Sequence, residues 1–449
     1  MSLFRQGSLF TLQELFNLEM NQRFQSIFET LDIQPVITVV SKKALSGAPT
    51  KLNYHAMVYS LVARLLDKIP TIKDLVKRLR YDTMFRLECG FTLSDAIPSE
   101  ASYSRMIAKI KESNILERIH ESIILQAIEE GFITDNTVAI DATHIEARDK
   151  SIASKKEKVL PKKRGRKTKA EQVKYQQEKQ QREEQLTLYE KPIEAQLDAS
   201  LEDLRLKVPR NPQWGIKKNS DGKNVFWYGY KGHFAVGASS QYILQSLFSS
   251  GNLNDGKAAI PLIKGIKEKL PTIPVEHITL DAGYDSPAIY QQIHNIGSHS
   301  VIAYNKRREQ EVIGFDKHFA PTCVREHSYR YDSYDHKYQT LKYTSPKECK
   351  ECSLKHDSLC QKVYKIKTTS DLRKYCFPAR GSQSWKDIYK KRTSVERVIG
   401  YLKEYFQLNN IRHCTGSKAK VHFDLCVLVY NAAKLACDRM NKKALQQAA

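Results

Sequence analysis

The chain has 449 residues, and its 72 Lys and Arg residues against 50 Asp and Glu give a formal net charge of +22. A protein this basic usually binds a polyanion, nucleic acid first, although a soluble protein that is simply basic stays an alternative. The first residues lack the pattern of a secretory signal, and the apolar stretch 55–66 is too short to span a bilayer. Nine cysteines, an odd number, are typical of a reducing compartment, so we expect a cytoplasmic protein.

Residues 1–130 are predicted to be helical. Apolar residues recur there at intervals of three and four, as in Met57, Leu61 and Leu65. Basic residues are scattered through the same region. The pattern predicts an all-α N-terminal domain that binds DNA or forms a dimer, and a purely structural helical domain is the alternative.

At residue 131 the sequence changes to a mixed pattern of strands and helices. The predicted strands are residues 137–143, 225–236, 242–248, 277–281 and 300–304, and the predicted helices are 255–270, 287–296 and 384–408. This order predicts an α/β domain over residues 131–415, followed by a helical C-terminal tail over 416–449.

Two insertions interrupt the α/β domain. The first, about 150–210, is basic and helical, and it contains a run of cations that includes Lys163, Arg164, Arg166 and Lys167. Arg164-Gly165-Arg166 is similar to the core of an AT-hook, but Lys167 replaces the usual proline. We predict that this basic arm binds DNA phosphates, and a solvated run of charges is the alternative.

The second insertion, about 306–384, carries five cysteines. Cys349 and Cys352 have the short spacing of a metal-binding pair, and Cys360 and Cys323 could complete four thiolate ligands for a structural zinc. His327 and His356 are alternative ligands. The other interpretation is a set of unrelated thiols in a loop-rich segment.

Two predicted strands end in similar short sequences, Ile-Asp141-Ala and Leu-Asp281-Ala. A carboxylate at the end of a buried strand is costly unless it is paired or bound to a metal. If the strands are neighbours, Asp141 and Asp281 could bind one cation, and hard oxygen ligands favour Mg²⁺ or Mn²⁺ over zinc. Alternatively, each Asp only caps the turn after its strand.

A third acidic residue lies in the predicted helix 384–408. Tyr389, Arg392, Glu396 and Lys403 stand at offsets 0, 3, 7 and 14. On a continuous helix they fall within an arc of about 60°, beside an apolar stripe that would dock on the sheet. We predict that Glu396 joins the two Asp residues, and a solvated charged face is the alternative.

The string Tyr389-x2-Arg392-x3-Glu396-x6-Lys403 resembles the Y-R-E-K signature of bacterial insertion-sequence DDE transposases. Asp141 and Asp281 resemble the first and second acidic motifs of that family, and the similarity covers roughly residues 135–415. It implies an RNase H-like domain: a mixed five-stranded sheet with flanking helices, here carrying two insertions and preceded by the all-α domain.

The resemblance also implies a function. The enzyme would cleave the ends of its mobile element and join the freed 3′-OH to target DNA, with two Mg²⁺ (or Mn²⁺) ions at the carboxylates. Asp141 would bridge both ions, while Asp281 and Glu396 would each hold one. Arg392 and Lys403 would neutralise phosphate, and Tyr389 would contact the DNA backbone.

The implied partner is double-stranded DNA, both the terminal inverted repeats of the element and the target. The resemblance implies a homodimer or larger oligomer on that DNA, at the bacterial nucleoid. Two other functions stay open: a catalytically silent DNA-binding regulator descended from a transposase, and a general RNase H-like nuclease.

Several other polar and aromatic residues receive weaker interpretations. Asp285 is predicted to be a helix N-cap, whereas Glu146, Asp149 and Asp255 are predicted to be surface or turn residues. His144 and His233 are predicted to be structural. Trp214, Trp227 and Trp385 could stack on bases, and the sequence does not select among them.

Overall fold

The computed structural model describes residues 19–41, 52–151, 184–218, 221–354 and 360–448, together with residues 172, 173, 176, 177 and 181. The predicted basic arm, which contains Lys163, Arg164, Arg166 and Lys167, lies outside the described residues. No helix in the described part of the chain is both long and apolar enough to cross a membrane.

Seven helices precede the sheet among residues 19–41 and 52–136. They are α1 (Met20–Phe28), α2 (Gln34–Val40), α3 (Tyr54–Leu66), α4 (Ile72–Tyr81), α5 (Thr83–Glu88), α6 (Glu100–Ile110) and α7 (Ile115–Glu129). Thr71, Asp82 and Ser99 are the N-caps of three of these helices. Each of these side chains accepts a hydrogen bond from the backbone N–H three residues later. Buried apolar residues of these helices belong to the same hydrophobic core as the sheet.

The central sheet is mixed. Its strands are β1 (Thr137–Glu146), β2 (Gln213–Lys218), β3 (Asn224–Gly237), β4 (Ile243–Ser250), β5 (His277–Leu280) and β6 (His299–Ile302). The order is β2-β3-β1-β5-β6, with β4 also paired to β3. Strands β1, β3 and β4 pair in antiparallel fashion, while β5 and β6 run parallel to β1. The prediction of a mixed α/β domain is confirmed. The predicted count of five strands is wrong, because the described residues add β2.

Six further helices flank the sheet or follow it in the described part of the chain. They are α8 (Leu201–Leu206), α9 (Asp255–Lys269), α10 (Pro287–Asn295), α11 (Gln383–Lys390), α12 (Thr393–Glu404) and α13 (Gly416–Ala448). The single helix predicted over 384–408 is wrong, because the chain tightens between α11 and α12. There the N–H groups of Arg392 and Val395 bond to carbonyls three residues back rather than four.

The second insertion forms a small antiparallel sheet of its own. Its strands are β7 (Arg330–Asp335), β8 (Thr340–Thr344) and β9 (Val363–Lys367). A separate small core that includes Tyr329, Leu341 and Tyr343 packs against this sheet. The sheet covers only part of the insertion, and the described residues between β8 and β9 form loops and a short 3-10 helix (Lys347–Lys350).

Two arginines tie the far end of the second insertion to the α/β domain. Buried Arg380 donates from Nη1 to the carbonyl of Ile302, the last residue of β6, at 2.6 Å. Arg373 donates from Nη2 to the carbonyl of Asn305 at 2.9 Å. The chain between β6 and α11 thus leaves the sheet and returns to it at nearly the same place.

The end of the first insertion packs on helix α9. The Lys257 ammonium donates to the carbonyls of Tyr189 and Lys191, and the Lys264 ammonium donates to the carbonyls of Leu197 and Ala199. This part of the predicted insertion is therefore attached to the domain rather than solvated all round.

Candidate active site

Asp141 and Asp281 lie side by side at one edge of the sheet. Asp141 is in β1, and Asp281 directly follows β5. These strands are parallel neighbours in which Ala139 stands opposite Thr279, so each Asp is two residues beyond the same paired position. Side chains two residues apart on a strand share a face. The register therefore brings the two carboxylates together.

The surroundings of Asp141 disfavour its charged form. Burial raises the pKa of Asp141 to about 6, and the nearby charges of Asp281 and Glu396 act in the same direction. The N–H of Ala142, which donates to Asp141 at 2.7 Å, and the guanidinium of Arg392 act against the shift. A cluster of carboxylates whose mutual repulsion is only partly offset favours binding of a cation.

Glu396 faces the two Asp residues from the first turn of α12. Its Oε1 accepts a hydrogen bond from Arg392 Nη1 at 2.8 Å, and its side chain is 48% exposed. Tyr389 lies near them in the last turn of α11. Burial raises its pKa first of all, and the charges of Arg392, Asp281 and Glu396 also act on it. Tyr389, Arg392 and Glu396 therefore lie near enough to interact electrostatically with the Asp residues, although the helix between them is broken.

The donor set at this edge suits a hard cation. It offers carboxylate oxygens alone, which are the ligands that Mg²⁺ and Mn²⁺ prefer. Within the described residues, however, no group of three or more His, Cys, Asp or Glu side chains is arranged tightly enough to hold a metal ion. The hydrogen bond between Arg392 and Glu396 keeps the third carboxylate engaged elsewhere.

Comparison with protein families gives two matches. Residues 205–432 match the family described as Transposase DDE domain, and residues 12–109 match the family described as Transposase domain (DUF772). The first match alone covers half of the chain. This chain belongs to the DDE transposases. A search of curated proteins found no relative that matches.

The matched DDE region of this transposase contains Asp281 and the whole string from Tyr389 to Lys403, but it begins after Asp141. The position of Asp141 in the site therefore depends on the strand register and on its electrostatic contacts with Asp281 and Glu396. The family implies a DNA substrate and a divalent metal ion.

Tyr284, which the sequence pattern does not single out, lies beneath the carboxylates. Its side chain is buried, and its hydroxyl has no hydrogen-bond partner among the described residues. Burial raises the pKa of Tyr284 well above its usual value, and the charges of Asp255, Asp141 and Asp281 add to the shift. The only available signal was its place three residues after Asp281.

Asp285 differs from its prediction as a helix N-cap. Ser286 is the N-cap of α10, and Asp285 instead binds Arg373 through both carboxylate oxygens at 2.8 and 2.9 Å. The hydroxyl of Tyr290 and the N–H of Asn305 also donate to it, each at 2.8 Å. Asp285 therefore joins the second insertion to the sheet and does not face the carboxylate edge.

The other acidic and histidine candidates occupy separate places in the transposase. Glu146 is exposed at the end of β1, Asp149 accepts a hydrogen bond from the N–H of Thr415, Asp255 pairs with Lys231, and buried His233 bonds to Ser249. His144 is different, because its Nδ1 lies 3.1 Å from the ammonium of Lys217 and near Lys403.

The four cysteines proposed as zinc ligands do not form a metal site among the described residues. Cys323, Cys349, Cys352 and Cys360 are free thiols. Burial raises the pKa of Cys349, and the other three sulfurs add to the shift. Because no metal site is found among the described residues, zinc is not supported.

The structure separates the three tryptophans. Trp227 is buried, and Trp385 stacks on Tyr389 with ring centroids 4.9 Å apart. Trp214 on β2 is 54% exposed. Of the three, Trp214 has its ring most open to a ligand.

A cavity of about 770 Å³ lies away from the carboxylates, at the opposite ends of β5 and β6. His277 and His299 line it, and burial lowers the pKa of each to about 4. Strand β5 begins at His277 and ends just before Asp281. Its size alone would favour this cavity as the active site, but the carboxylate cluster and the family match favour the opposite edge of the sheet.

Proposed function

We propose that this protein is the transposase of a bacterial insertion sequence, which cleaves DNA at the ends of its element and joins the 3′-OH to target DNA. The observation that supports the proposal is the pairing of Asp141 with Asp281 on adjacent strands, with Glu396 facing them. The strand order, antiparallel β4-β3-β1 followed by parallel β5 and β6, agrees with an RNase H-like domain.

Asp141, Asp281 and Glu396 would hold two Mg²⁺ (or Mn²⁺) ions. Bound there, the ions would supply activation of the attacking oxygen and stabilisation of the leaving one. Since burial and like charge raise the pKa of Asp141 to about 6, a cation would also relieve the repulsion among the three carboxylates.

Arg392 would exchange partners when DNA binds. Its guanidinium now bonds to Glu396 at 2.8 Å and lies over the ring of Tyr389 at 5.8 Å. A DNA phosphate is a stronger acceptor for a guanidinium than a half-exposed carboxylate. Transfer of Arg392 to phosphate would free Glu396 for its role as a ligand, while Tyr389 and Lys403 would contact the DNA backbone.

DNA binding by the whole enzyme would involve paired element ends and a dimer or larger assembly, at the nucleoid. The net charge of +22 favours binding to the phosphate backbone. Lys163, Arg164, Arg166 and Lys167 add cations to this interaction within the proposal.

The test is cleavage of labelled duplex DNA taken from either side of the gene, in the presence of Mg²⁺. Asp141→Asn, Asp281→Asn and Glu396→Gln should each reduce cleavage and joining by orders of magnitude, because each removes charge from the metal-binding set. Binding of the same duplex should change little.

The matched control is Glu146→Gln, because Glu146 is an exposed carboxylate on the same strand as Asp141. It should cleave like the wild type. Cleavage at the wild-type rate by any of the other three variants would remove that residue from the site. A wild-type protein that binds the duplex but never cuts it would instead indicate a regulator.

A further inference from the structure

Strands β2 and β3 form a two-stranded ribbon that extends past the end of β1. The first half of β3 pairs with β2, and its second half pairs with β4. The ribbon is held at its base by Trp227, whose buried ring lies over Gly215 on the opposite strand. A Cβ at Gly215 would come within 2.2 Å of that ring, so only glycine fits there.

The ribbon brings Lys217 to His144. The ammonium of Lys217 lies 3.1 Å from Nδ1 of His144, and the His144 ring is tilted against Trp227 with centroids 5.2 Å apart. Burial lowers the pKa of His144 to about 4, with the charges of Lys217 and Lys403 acting in the same direction. The imidazole is therefore neutral near pH 7 and accepts from Lys217 at Nδ1, which leaves the ring proton on Nε2.

Lys403 completes a cluster of cationic character. Burial lowers the pKa of Lys403, and the charge of Lys217 lowers it further. Among the described residues, no carboxylate contributes to the pKa of Lys403 or of His144. Folding has thus placed two ammonium groups near a neutral histidine with no acidic partner among the described residues, an arrangement that costs free energy unless an anion binds.

We propose that Lys217, His144 and Lys403 together bind one backbone phosphate of the DNA substrate. The inference rests on the proposed function, and it adds to the signature two residues that lie outside it. Lys217 still has two ammonium protons after bonding to His144, Lys403 has three, and His144 can donate from Nε2. Phosphate binding requires several charged donors of this kind around one anion.

The position of the cluster fits a strand that also reaches the carboxylates. Lys403 follows Glu396 by seven residues on α12, which is about 10 Å along a helix axis. At about 3.4 Å per nucleotide along a DNA strand, this corresponds to about three nucleotides. The cluster would therefore hold DNA close to the bond that is cut and fix its register at the carboxylates.

The test measures binding to a labelled duplex of the DNA beside the gene, in EDTA so that no cleavage occurs. Lys217→Ala should weaken binding about tenfold, the effect of losing one charged hydrogen bond. The slope of log affinity against log salt should fall by up to about 0.9, the value for one whole phosphate contact, because Lys403 still faces the same phosphate. Lys217→Arg should restore most of both. His144→Ala should give a smaller loss, because it removes one donor and the support of Lys217.

The matched control is Lys218→Ala, because Lys218 is the next residue of β2 and is equally exposed but points to the other face of the ribbon. A series of duplexes, each with one phosphate replaced by a neutral methylphosphonate, shows which phosphate the cluster contacts. One substituted phosphate should weaken DNA binding by the wild type clearly more than it weakens binding by Lys217→Ala, which keeps Lys403 at that phosphate.

If Lys217→Ala matches Lys218→Ala in affinity and salt slope, or stays sensitive to every methylphosphonate as the wild type is, the inference is overturned. Cleavage of the unmodified duplex by the wild type with Mg²⁺ is measured in parallel. A wild type that cuts while Lys217→Ala binds normally refutes only the phosphate site, whereas a wild type that never cuts refutes the proposed function.

Discussion

Asp141 and Asp285 are two carboxylates of one domain with opposite surroundings. Asp285 is fully buried, yet it receives four hydrogen bonds, two of them from the guanidinium of Arg373. Burial acts to raise its pKa, but these bonds outweigh it and the pKa is lowered. Asp141 is less buried and accepts one backbone hydrogen bond, and its pKa rises to about 6.

The difference distinguishes a carboxylate whose charge stabilises the fold from one whose charge destabilises it. The interactions of Asp285 are complete within the chain, so its charge contributes to stability. Asp141 lies near Asp281 and Glu396 and keeps a repulsion that the chain alone does not remove. Groups of this second kind are typical of sites that bind a ligand of opposite charge.

The largest expected effect on stability concerns Asp285. Asp285→Asn keeps the shape but turns an amide N–H₂ group towards donors, and it leaves Arg373 without its buried counter-ion. Loss of one partner of a buried pair costs about 3–5 kcal/mol, so the free energy of unfolding in urea should fall by that amount.

The matching control is the double variant Asp285→Asn with Arg373→Met. It should recover part of the loss, because no unpaired charge stays buried. Equal stabilities of Asp285→Asn and the wild type would show that the bonds of Asp285 do not stabilise the fold, and the contrast with Asp141 would disappear.

Asp141→Asn should act in the opposite direction when metal is absent. The folded pKa of about 6 lies above the value of about 3.9 for an unfolded chain, so the ionised carboxylate destabilises the folded state above pH 6. In EDTA at pH 7.5 the variant should unfold at a higher urea concentration than the wild type. Its free energy of unfolding should be greater by at most about 3 kcal/mol.

Mg²⁺ provides the check on that prediction. A cation that binds the folded protein stabilises it by mass action, and the wild type should gain more from added Mg²⁺ than Asp141→Asn does. A variant that is less stable than the wild type in EDTA would mean that Asp141 has a structural partner.

The two carboxylates should also differ in how pH changes their contributions. Asp141 stabilises the folded state fully only below about pH 4, and this contribution is lost as pH rises through 6. Asp285 has a lowered pKa, so its contribution is present above about pH 4 and is lost as pH falls through the folded pKa. Urea unfolding of both Asn variants and the wild type from pH 4 to 8 should therefore give differences that change only for Asp141.

The smallest effect is expected for Glu309, the second acidic partner of Arg373. Glu309 is 41% exposed, whereas Asp285 is fully buried. Exposed pairs contribute about 0–1 kcal/mol, so Glu309→Gln should lower the free energy of unfolding by less than 1 kcal/mol. A loss as large as that of Asp285→Asn would show that burial does not decide the strength of these pairs.

The strands that carry Asp141 and Asp281 could be predicted from sequence because they are short, apolar and rich in β-branched residues. This local pattern does not depend on which strands pair with them. Strand β2 could not, because Trp214, Ile216 and Lys217 are all exposed and show no alternation. Its strand state depends on pairing with β3, a contact between segments that local pattern does not specify.

The break between α11 and α12 and the small sheet of the second insertion were missed for related reasons. Apolar spacing continues across Lys391, so the pattern predicts one helix, while hydrogen bonding three residues back decides otherwise. The small sheet has a core that includes Tyr329 and Tyr343 among many charged residues. Tyrosines in a polar context do not give the apolar alternation by which strands are recognised.

The attachment of Arg380 to Ile302 has a consequence for chain entropy. A flexible loop of roughly 80 residues between β6 and α11 would cost about 2 kcal/mol more to close than one of roughly eight, by the logarithmic dependence on loop length. Because Arg380 fixes the return of the chain at the last residue of β6, the helix pair α11–α12 is tethered as though by a short connection. The insertion can then vary in length without loosening the position of Glu396.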